Sequence, residues 1–176
     1  MTPKIVCVAG PTACGKTTLG VLLARRFHGE VVSADSMQIY RGMTVGTAAP
    51  TEAEMQGVPH HMIAVAEPSE QWSAAEYVAK ATPIVDDILS RGKLPILVGG
   101  TGLYVQSFLY GVRFTEEKAP AGLREQLAEE LAQKGGAALY AELQQVDPEC
   151  AAKLHPNNHG RVLRALELYE QTGETM

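Results

Sequence analysis

Gly10-Pro11-Thr12-Ala13-Cys14-Gly15-Lys16-Thr17 is the stretch that decides the fold. Ahead of it runs an apolar segment, Ile5-Val6-Cys7-Val8-Ala9, which reads as a strand. Behind it, Leu19, Leu22, Leu23 and Phe27 recur at helical spacing between Thr18 and Phe27. The order strand, glycine loop, helix gives this short pattern its specificity. Gly10 and Gly15 let the backbone fold around an anion, so that successive N–H groups and the helix N-terminus point at phosphate oxygens. Lys16 adds a point positive charge, and the Thr17 hydroxyl is a candidate ligand for Mg²⁺. A di- or triphosphate is therefore expected on residues 10–17.

Working outward, the 176 residues suffice for one domain, or one domain and part of a second. The composition, 45% hydrophobic and 20% charged, is that of a soluble globular chain. No apolar run approaches the ~20 residues needed to cross a bilayer. The first strand begins almost directly after Met1, so no signal peptide is expected. Three cysteines without metal-ligand spacing point to a reducing compartment, the cytoplasm. Cys7 is expected to be a small core residue. Cys14, at a helix N-terminus, is the expected reactive thiol.

The net charge is −5. Eight Lys and Arg stand against nine Asp and Glu through residue 112, and seven against eleven from 113 onward. A general electrostatic grip on nucleic acid is therefore not visible in this chain, and any such contact has to come from local arginines.

Glu30 to Asp35 reads as a second strand ending in a carboxylate. The stretch from Ser36 to Gln71 has no sustained period and reads as a long loop, which is usually functional. Ser73 and Glu76 form a capping box that opens a helix running toward Leu89. Pro83 is expected to kink or split it. Leu94 to Val98 reads as a buried strand, followed by Gly99-Gly100-Thr101-Gly102 and a helix from Leu103 to Tyr110. After about Arg113, strand-like runs give way to helical patterns at Leu123–Gln133, Ala137–Gln145 and Arg161–Gln171. The expected architecture is α/β, a P-loop NTPase-like parallel sheet flanked by helices over residues 1–112. A helical insert domain follows over 113–176.

In open α/β sheets the ligand lies outside the carboxyl ends of the strands, so residues 10–17, Asp35 and Gly99–Gly102 should share a crevice. Asp35 has three readings of similar weight: magnesium ligand, general base, or cap of the following loop. Thr101 either caps its helix or offers a hydroxyl to phosphate or substrate. The strand before it ends in glycine, where nucleotide hydrolases place a magnesium-positioning aspartate, which counts against an ATPase or GTPase. His60-His61 reads as packing or loop hydrogen bonding rather than metal binding, since no further ligand stands at suitable spacing. Trp72 and Tyr104 are core or site-lining candidates, and Glu116-Glu117-Lys118 reads as a solvated turn. The residues alone leave two options open, phosphoryl transfer or a reaction with diphosphate as leaving group.

Longer motifs carry a resemblance. The loop at 10–17, Ser33-Ala34-Asp35-Ser36-Met37-Gln38-Ile39-Tyr40-Arg41-Gly42-Met43, Gly46-Thr47-Ala48 and Val58-Pro59-His60-His61 resemble the tRNA dimethylallyltransferases. So do Tyr77 with its capping box and Leu97-Val98-Gly99-Gly100-Thr101-Gly102-Leu103-Tyr104. Val146-Asp147-Pro148, Leu154-His155-Pro156-Asn157 and Arg161-Val162-Leu163-Arg164-Ala165-Leu166-Glu167 continue the match to the end of the chain. The resemblance implies transfer of a dimethylallyl group from dimethylallyl diphosphate to N6 of the adenosine 3′ of the tRNA anticodon. On that basis residues Gly10, Pro11, Thr12, Ala13, Cys14, Gly15, Lys16 and Thr17 would hold the diphosphate, and Thr17 the Mg²⁺. Asp35 would be the general base, with Lys16 and Thr101 at the reacting groups. Ser36, Met37 and Gln38 would hold the flipped-out base, and Arg124, Gly160, Arg161, Val162, Leu163 and Arg164 would contact tRNA.

Cys14 stands where the family usually has serine, and Asn158-His159-Gly160 departs from its more typical Asp-x-Gln or Asp-x-Arg run. Members also continue well past a position like Met176, with further strands, basic segments and an arginine for the diphosphate. The chain is therefore expected to be a fragment, a truncated product or a reduced form. The alternatives are an adenylate isopentenyltransferase using free AMP, ADP or ATP, a P-loop small-molecule kinase binding ATP, and a non-catalytic binding module. Oligomeric state is not legible.

Overall fold

The computed structural model describes residues 4–70, 72–112 and 122–176. The chain divides into two compact units, Met1–Phe114 and Thr115–Met176. The first holds a four-stranded sheet of β1 (Val6–Ala9), β2 (Gly29–Ser33), β3 (His60–His61) and β4 (Leu94–Gly99). All pairs are parallel and the order is β1-β4-β2-β3. Parallel strands need crossovers: α1 (Lys16–Phe27) links β1 to β2, residues 34–59 link β2 to β3, and α3 (Ala74–Ser90) links β3 to β4.

Alternation along the strands explains the two layers. Val32 and Leu97 face a cluster that contains Ile39, Tyr77, Ala81, Val85 and Ile88. Val31, Ile96 and Val98 face Val21 and Ala24 of α1. Each fully buried large aliphatic residue contributes about 1.5–3 kcal/mol by leaving water. Pro95 is tolerated in the middle strand because it pairs opposite Glu30, before β1 begins opposite Ile96.

Several expectations are corrected. Cys7 is exposed, because β1 pairs with β4 alone among the described strands. α3 runs unbroken through Pro83 rather than splitting. Pro83 and Ala79, whose carbonyl loses its helical donor, both lie on the exposed side where water is available, while Tyr77, Ala81, Val85 and Ile88 anchor the helix on either side. The segment 36–71 is more than a loop. It contains the short helix α2 (Glu52–Met55), opened by a Thr51–Glu54 capping box, and the edge strand β3. The expectation at Glu116-Glu117-Lys118 lies outside the described residues.

His60 and His61 bond within this unit. His60 Nδ1 donates to the Val58 carbonyl at 2.8 Å, and His61 Nε2 donates to Glu30 Oε2 at 2.8 Å. Burial holds the His60 imidazole below its ordinary value, so the neutral form is favoured. Glu30 is nearly fully buried and also receives Arg91 at 2.5 and 2.9 Å and Lys93 at 2.7 Å. Sequence reading missed this carboxylate, since nothing local marks Glu30 as buried.

The second unit is helical: α5 (Leu123–Lys134), α6 (Gly136–Val146), α7 (Pro148–Lys153) and α8 (His159–Thr172). Its core gathers Leu127, Leu139, Leu143, Cys150, Val162 and Leu166. The sequence reading overlooked α7, although Asp147-Pro148 is a helix-start signal. Asp147 Oδ1 accepts from the Cys150 N–H at 2.9 Å as its cap, and Oδ2 accepts from the Met176 N–H at 2.7 Å. No described helix is long and apolar enough to cross a membrane.

The Glu30 cluster generates a test. The Arg91 guanidinium, then Lys93 and His61, hold its carboxyl far below the usual range against an opposing effect of burial. Its contribution is therefore present above the unfolded carboxyl value of about 4.3 and fades as pH falls below that value. Glu30→Ala should cost about 2–3 kcal/mol at pH 7, the lower end for a buried pair because the cations are partly exposed. Denaturant midpoints should show the gap between wild type and variant narrowing from pH 7 to pH 3; a constant gap would contradict the assignment.

Candidate functional site: a phosphate-loop crevice

The phosphate loop leaves β1 and turns into α1 through Gly15, at φ 84°, a conformation only glycine adopts without strain. Ala13 is also left-handed, at φ 63°, and a methyl group on Gly10 would lie 3.1 Å from Cys14 Sγ. Gly15 provides no side-chain cap, and the first turn of α1 carries no acidic residue. The leading N–H groups of α1 thus have no carboxylate or hydroxyl of their own, the arrangement that favours an external anion. Lys16 Nζ donates to the Pro11 carbonyl at 2.5 Å and lies 3.9 Å from Cys14 Sγ.

The other two strand ends meet this loop because β2 and β4 approach very closely. A Cβ on Gly99 would fall 2.1 Å from the Ala34 carbonyl oxygen, so any side chain there would force the strands apart. The Ala34 N–H donates to the Val98 carbonyl at 2.8 Å, and the Thr101 N–H donates to the Ala34 carbonyl at 3.1 Å. Asp35 follows directly. It lines one cavity of about 330 Å³ together with Thr12 through Thr17, Gln38, Gly99 and Gly100.

Asp35 Oδ1 accepts from the Met37 N–H at 2.9 Å and the Gln38 N–H at 3.3 Å. The capping reading is therefore realised, yet Oδ2 accepts no hydrogen bond among the described residues. One oxygen is structural and the other is available to a proton or a cation. Thr101 occupies the N-cap position of α4 (Gly102–Leu109) without capping it through its side chain. Its hydroxyl instead accepts from the Ser36 N–H at 2.9 Å and donates to Ser36 Oγ at 3.3 Å. Behind it, Tyr104 stacks on Tyr77 with centroids 4.4 Å apart. Burial raises both phenols above their ordinary values, so they stay neutral. Tyr104 belongs to the core cluster, and the partly buried Trp72 packs against it.

Gln38 faces the cavity, but its amide is committed. Oε1 accepts from Ser33 Oγ at 3.0 Å, and Nε2 donates to the carbonyls of Thr47 at 3.4 Å and Ala48 at 3.3 Å. Met37 is exposed, and neither Met37 nor Ser36 lines the cavity. Val98 also lines the cavity, and Thr47, Ala48, Pro50 and Glu54 complete the wall. These wall positions had no role assigned from sequence; only the Gly46-Thr47-Ala48 motif hinted at them. For a cation, Thr17 and Asp35 supply one hydroxyl and one carboxylate in the same cavity. Mg²⁺ is commonly held by so few protein groups together with phosphate oxygens and water. No cluster of three His, Cys, Asp or Glu suited to a metal occurs among the described residues.

In the helical unit, Arg124, Gly160, Leu163 and Arg164 share a small cavity of about 50 Å³ with Leu127 and Glu167. Arg164 is paired with the buried Glu167 at 2.7 Å. Arg161 is exposed at the start of α8, whereas the Val162 side chain is buried in the helical core and offers only its backbone to a partner.

A glycine loop feeding a helix N-terminus at the carboxyl end of a parallel sheet makes this a P-loop α/β protein. The chain belongs to the family described as IPP transferase, whose model matches residues 38–176, and a model described as isopentenyl transferase matches residues 3–72. It is 49% identical over its whole length to a tRNA dimethylallyltransferase of Oceanobacillus iheyensis, of which it covers 56%. It is 48% identical over 172 residues to the tRNA dimethylallyltransferase of Bacillus subtilis, covering 98% of this chain and 55% of that one. The chain thus spans about half the length of the curated relatives it matches. Among solved structures, the tRNA isopentenylpyrophosphate transferase of Bacillus halodurans aligns with TM-score 0.65 and 47% identity, over 98% of this chain and 57% of that one. A eukaryotic dimethylallyltransferase solved acting on tRNA aligns with TM-score 0.85 and 34% identity, over 99% of this chain and 43% of that one.

The thiols report on this crevice. Partial desolvation raises the exposed Cys7 thiol above its ordinary value, and burial both raises the Cys150 thiol and shields it from reagent. Cys14 is exposed beside Lys16 in the loop. Alkylation followed by mass spectrometry should label Cys14 first, and inorganic pyrophosphate should slow that labelling alone. Equal labelling of all three, or no protection, would contradict the placement of the anion.

Proposed function

We propose that the chain carries the diphosphate-binding and base-bearing part of a tRNA dimethylallyltransferase. The reaction transfers a dimethylallyl group from dimethylallyl diphosphate to N6 of the adenosine 3′ of the anticodon. The observation that supports this most is the single cavity shared by the phosphate loop and Asp35. An anion cradle and an available carboxylate oxygen in one crevice suit a displacement that releases diphosphate at one end and a proton at the other.

In this reading the C1–O bond of the prenyl diphosphate breaks and its electron pair leaves with the diphosphate. The N6 lone pair forms the new bond to C1, and the displaced N6 proton passes to Asp35 Oδ2. Negative charge grows on the departing oxygen, where the α1 N–H groups stand and Lys16 adds its charge by exchanging the Pro11 carbonyl for the diphosphate. The Thr17 hydroxyl would hold Mg²⁺, which would supply further neutralisation of that charge. Thr101 fixes the Ser36 backbone that follows the base and presents its hydroxyl near the reacting amine. Ser36, Met37 and Gln38 border the flipped adenine.

The helical unit from residue 113 is the tRNA-contacting part, with Arg124, Arg161 and Arg164 facing phosphates and Gly160, Val162 and Leu163 contributing backbone or packing. With a charge of −5, binding here depends on those local arginines. The cytoplasm is the compartment in which such a substrate is met. Kinase chemistry is disfavoured, since β4 ends in Gly99-Gly100 and brings no carboxylate to the cavity for a magnesium–triphosphate complex.

Asp35→Asn separates chemistry from capping, because asparagine keeps an oxygen for the Met37 and Gln38 N–H groups. With dimethylallyl diphosphate, Mg²⁺ and unmodified tRNA, the variant should lose at least about 100-fold in rate, the usual contribution of a general base. Its affinity for pyrophosphate should be unchanged. A rate equal to wild type would remove Asp35 from the base role.

A further inference from the structure

The helical unit carries a buried carboxylate that its packing does not account for. The Glu167 side chain on α8 is 7% exposed, and its Oε2 accepts from Arg164 Nη1 at 2.7 Å. Taking a carboxylate out of water is costly, and a pair whose cation is 55% exposed contributes little stability. The pair engages one nitrogen of the guanidinium. Nε and Nη2, which form the other edge of its fork, meet no partner among the described residues. Arg124 of α5 lines the same cavity of about 50 Å³ and is likewise unpaired among the described residues. Gly160 keeps the rim open, since a Cβ there would meet nothing within 4 Å.

We propose that Glu167 is a positioning residue for RNA binding: it fixes the Arg164 fork at the rim of this cavity, where Arg164 and Arg124 together receive one backbone phosphate. This deepens the function proposed above and rests on its assignment of the helical unit to tRNA. A free arginine gives up much rotamer freedom when it captures a phosphate. An arginine already fixed by a buried acid gives up less, and its open edge still offers two donors to two phosphate oxygens. From residue 113 onward seven Lys and Arg stand against eleven Asp and Glu, so long-range attraction does not draw RNA to this unit. A contact set in advance is the remaining source of affinity. The sign of the Glu167 effect separates this role from plain electrostatics. If charge alone mattered, neutralising Glu167 would tighten RNA binding. If Glu167 acts by holding Arg164, neutralising it weakens binding.

The test is a double-mutant cycle read by fluorescence anisotropy, with this 176-residue chain and an unmodified anticodon stem-loop RNA as the probe. Arg164→Ala should weaken binding at least about tenfold, the usual worth of a charge-assisted contact. Glu167→Gln should weaken it about threefold to tenfold, the cost of ordering one long side chain. In the Arg164→Ala background Glu167→Gln should have no further effect, a coupling that a general loss of helical packing would not produce. Arg164→Lys leaves Glu167 in place and covers the case in which Glu167→Gln does not fold. It keeps the charge, loses the fork and should weaken binding nearly as much as Arg164→Ala. Tighter binding by Glu167→Gln, an equal loss with and without Arg164, or Arg164→Lys matching wild type would overturn the positioning role alone. Wild type that does not bind the stem-loop would overturn the assignment of this unit to tRNA, and the positioning role with it.

Discussion

The contact between Gly99 and Ala34 is the constraint on which the rest depends. Here β4 and the chain leaving β2 are closer than any side chain permits, with 2.1 Å between a built Cβ and a carbonyl oxygen. That approach lets the Thr101 N–H reach the Ala34 carbonyl and the Thr101 hydroxyl reach the Ser36 backbone. It also sets Asp35 at the mouth of the cavity that the phosphate loop closes from the other side. A methyl group at residue 99 would move all three together, so a structural glycine has a functional consequence without touching any ligand.

Two electrostatic devices stand in this α/β unit, and they differ in kind. The Glu30 cluster is a carboxylate taken out of water and compensated by Arg91, Lys93 and His61. Removing one partner leaves an uncompensated charge, so its effect is on stability. The phosphate loop is the reverse: its helix N-terminus and lysine have no internal carboxylate partner among the described residues, and its strained Ala13 is held by the surrounding fold. Such an arrangement suits a ligand that brings the negative charge.

Much of this was legible in the residues. The loop at 10–17, the carboxylate at 35 and the glycines at 99–102 each follow an apolar strand, and sheet topology alone says that such strand ends converge. The Ser73 capping box marked the start of α3 because its chemistry is local. What escaped was non-local or brief. β3 is two residues long and is a strand only by pairing with Val31 and Val32. Glu30 reads as a strand residue, and its burial comes with partners 31 to 63 positions away. Cys7 has the pattern of a buried strand residue, and its exposure follows from a strand order that no local pattern encodes. Gln38 looks like a base-reading amide until its three hydrogen bonds are seen.

The most direct test of the central claim is which phosphate ester the loop prefers. Calorimetric titration of this chain in the presence of Mg²⁺, with dimethylallyl diphosphate in one experiment and ATP in another, measures it. The account predicts tighter binding of the prenyl diphosphate, abolished by Lys16→Ala. Tight binding of ATP with no measurable heat from dimethylallyl diphosphate would contradict it.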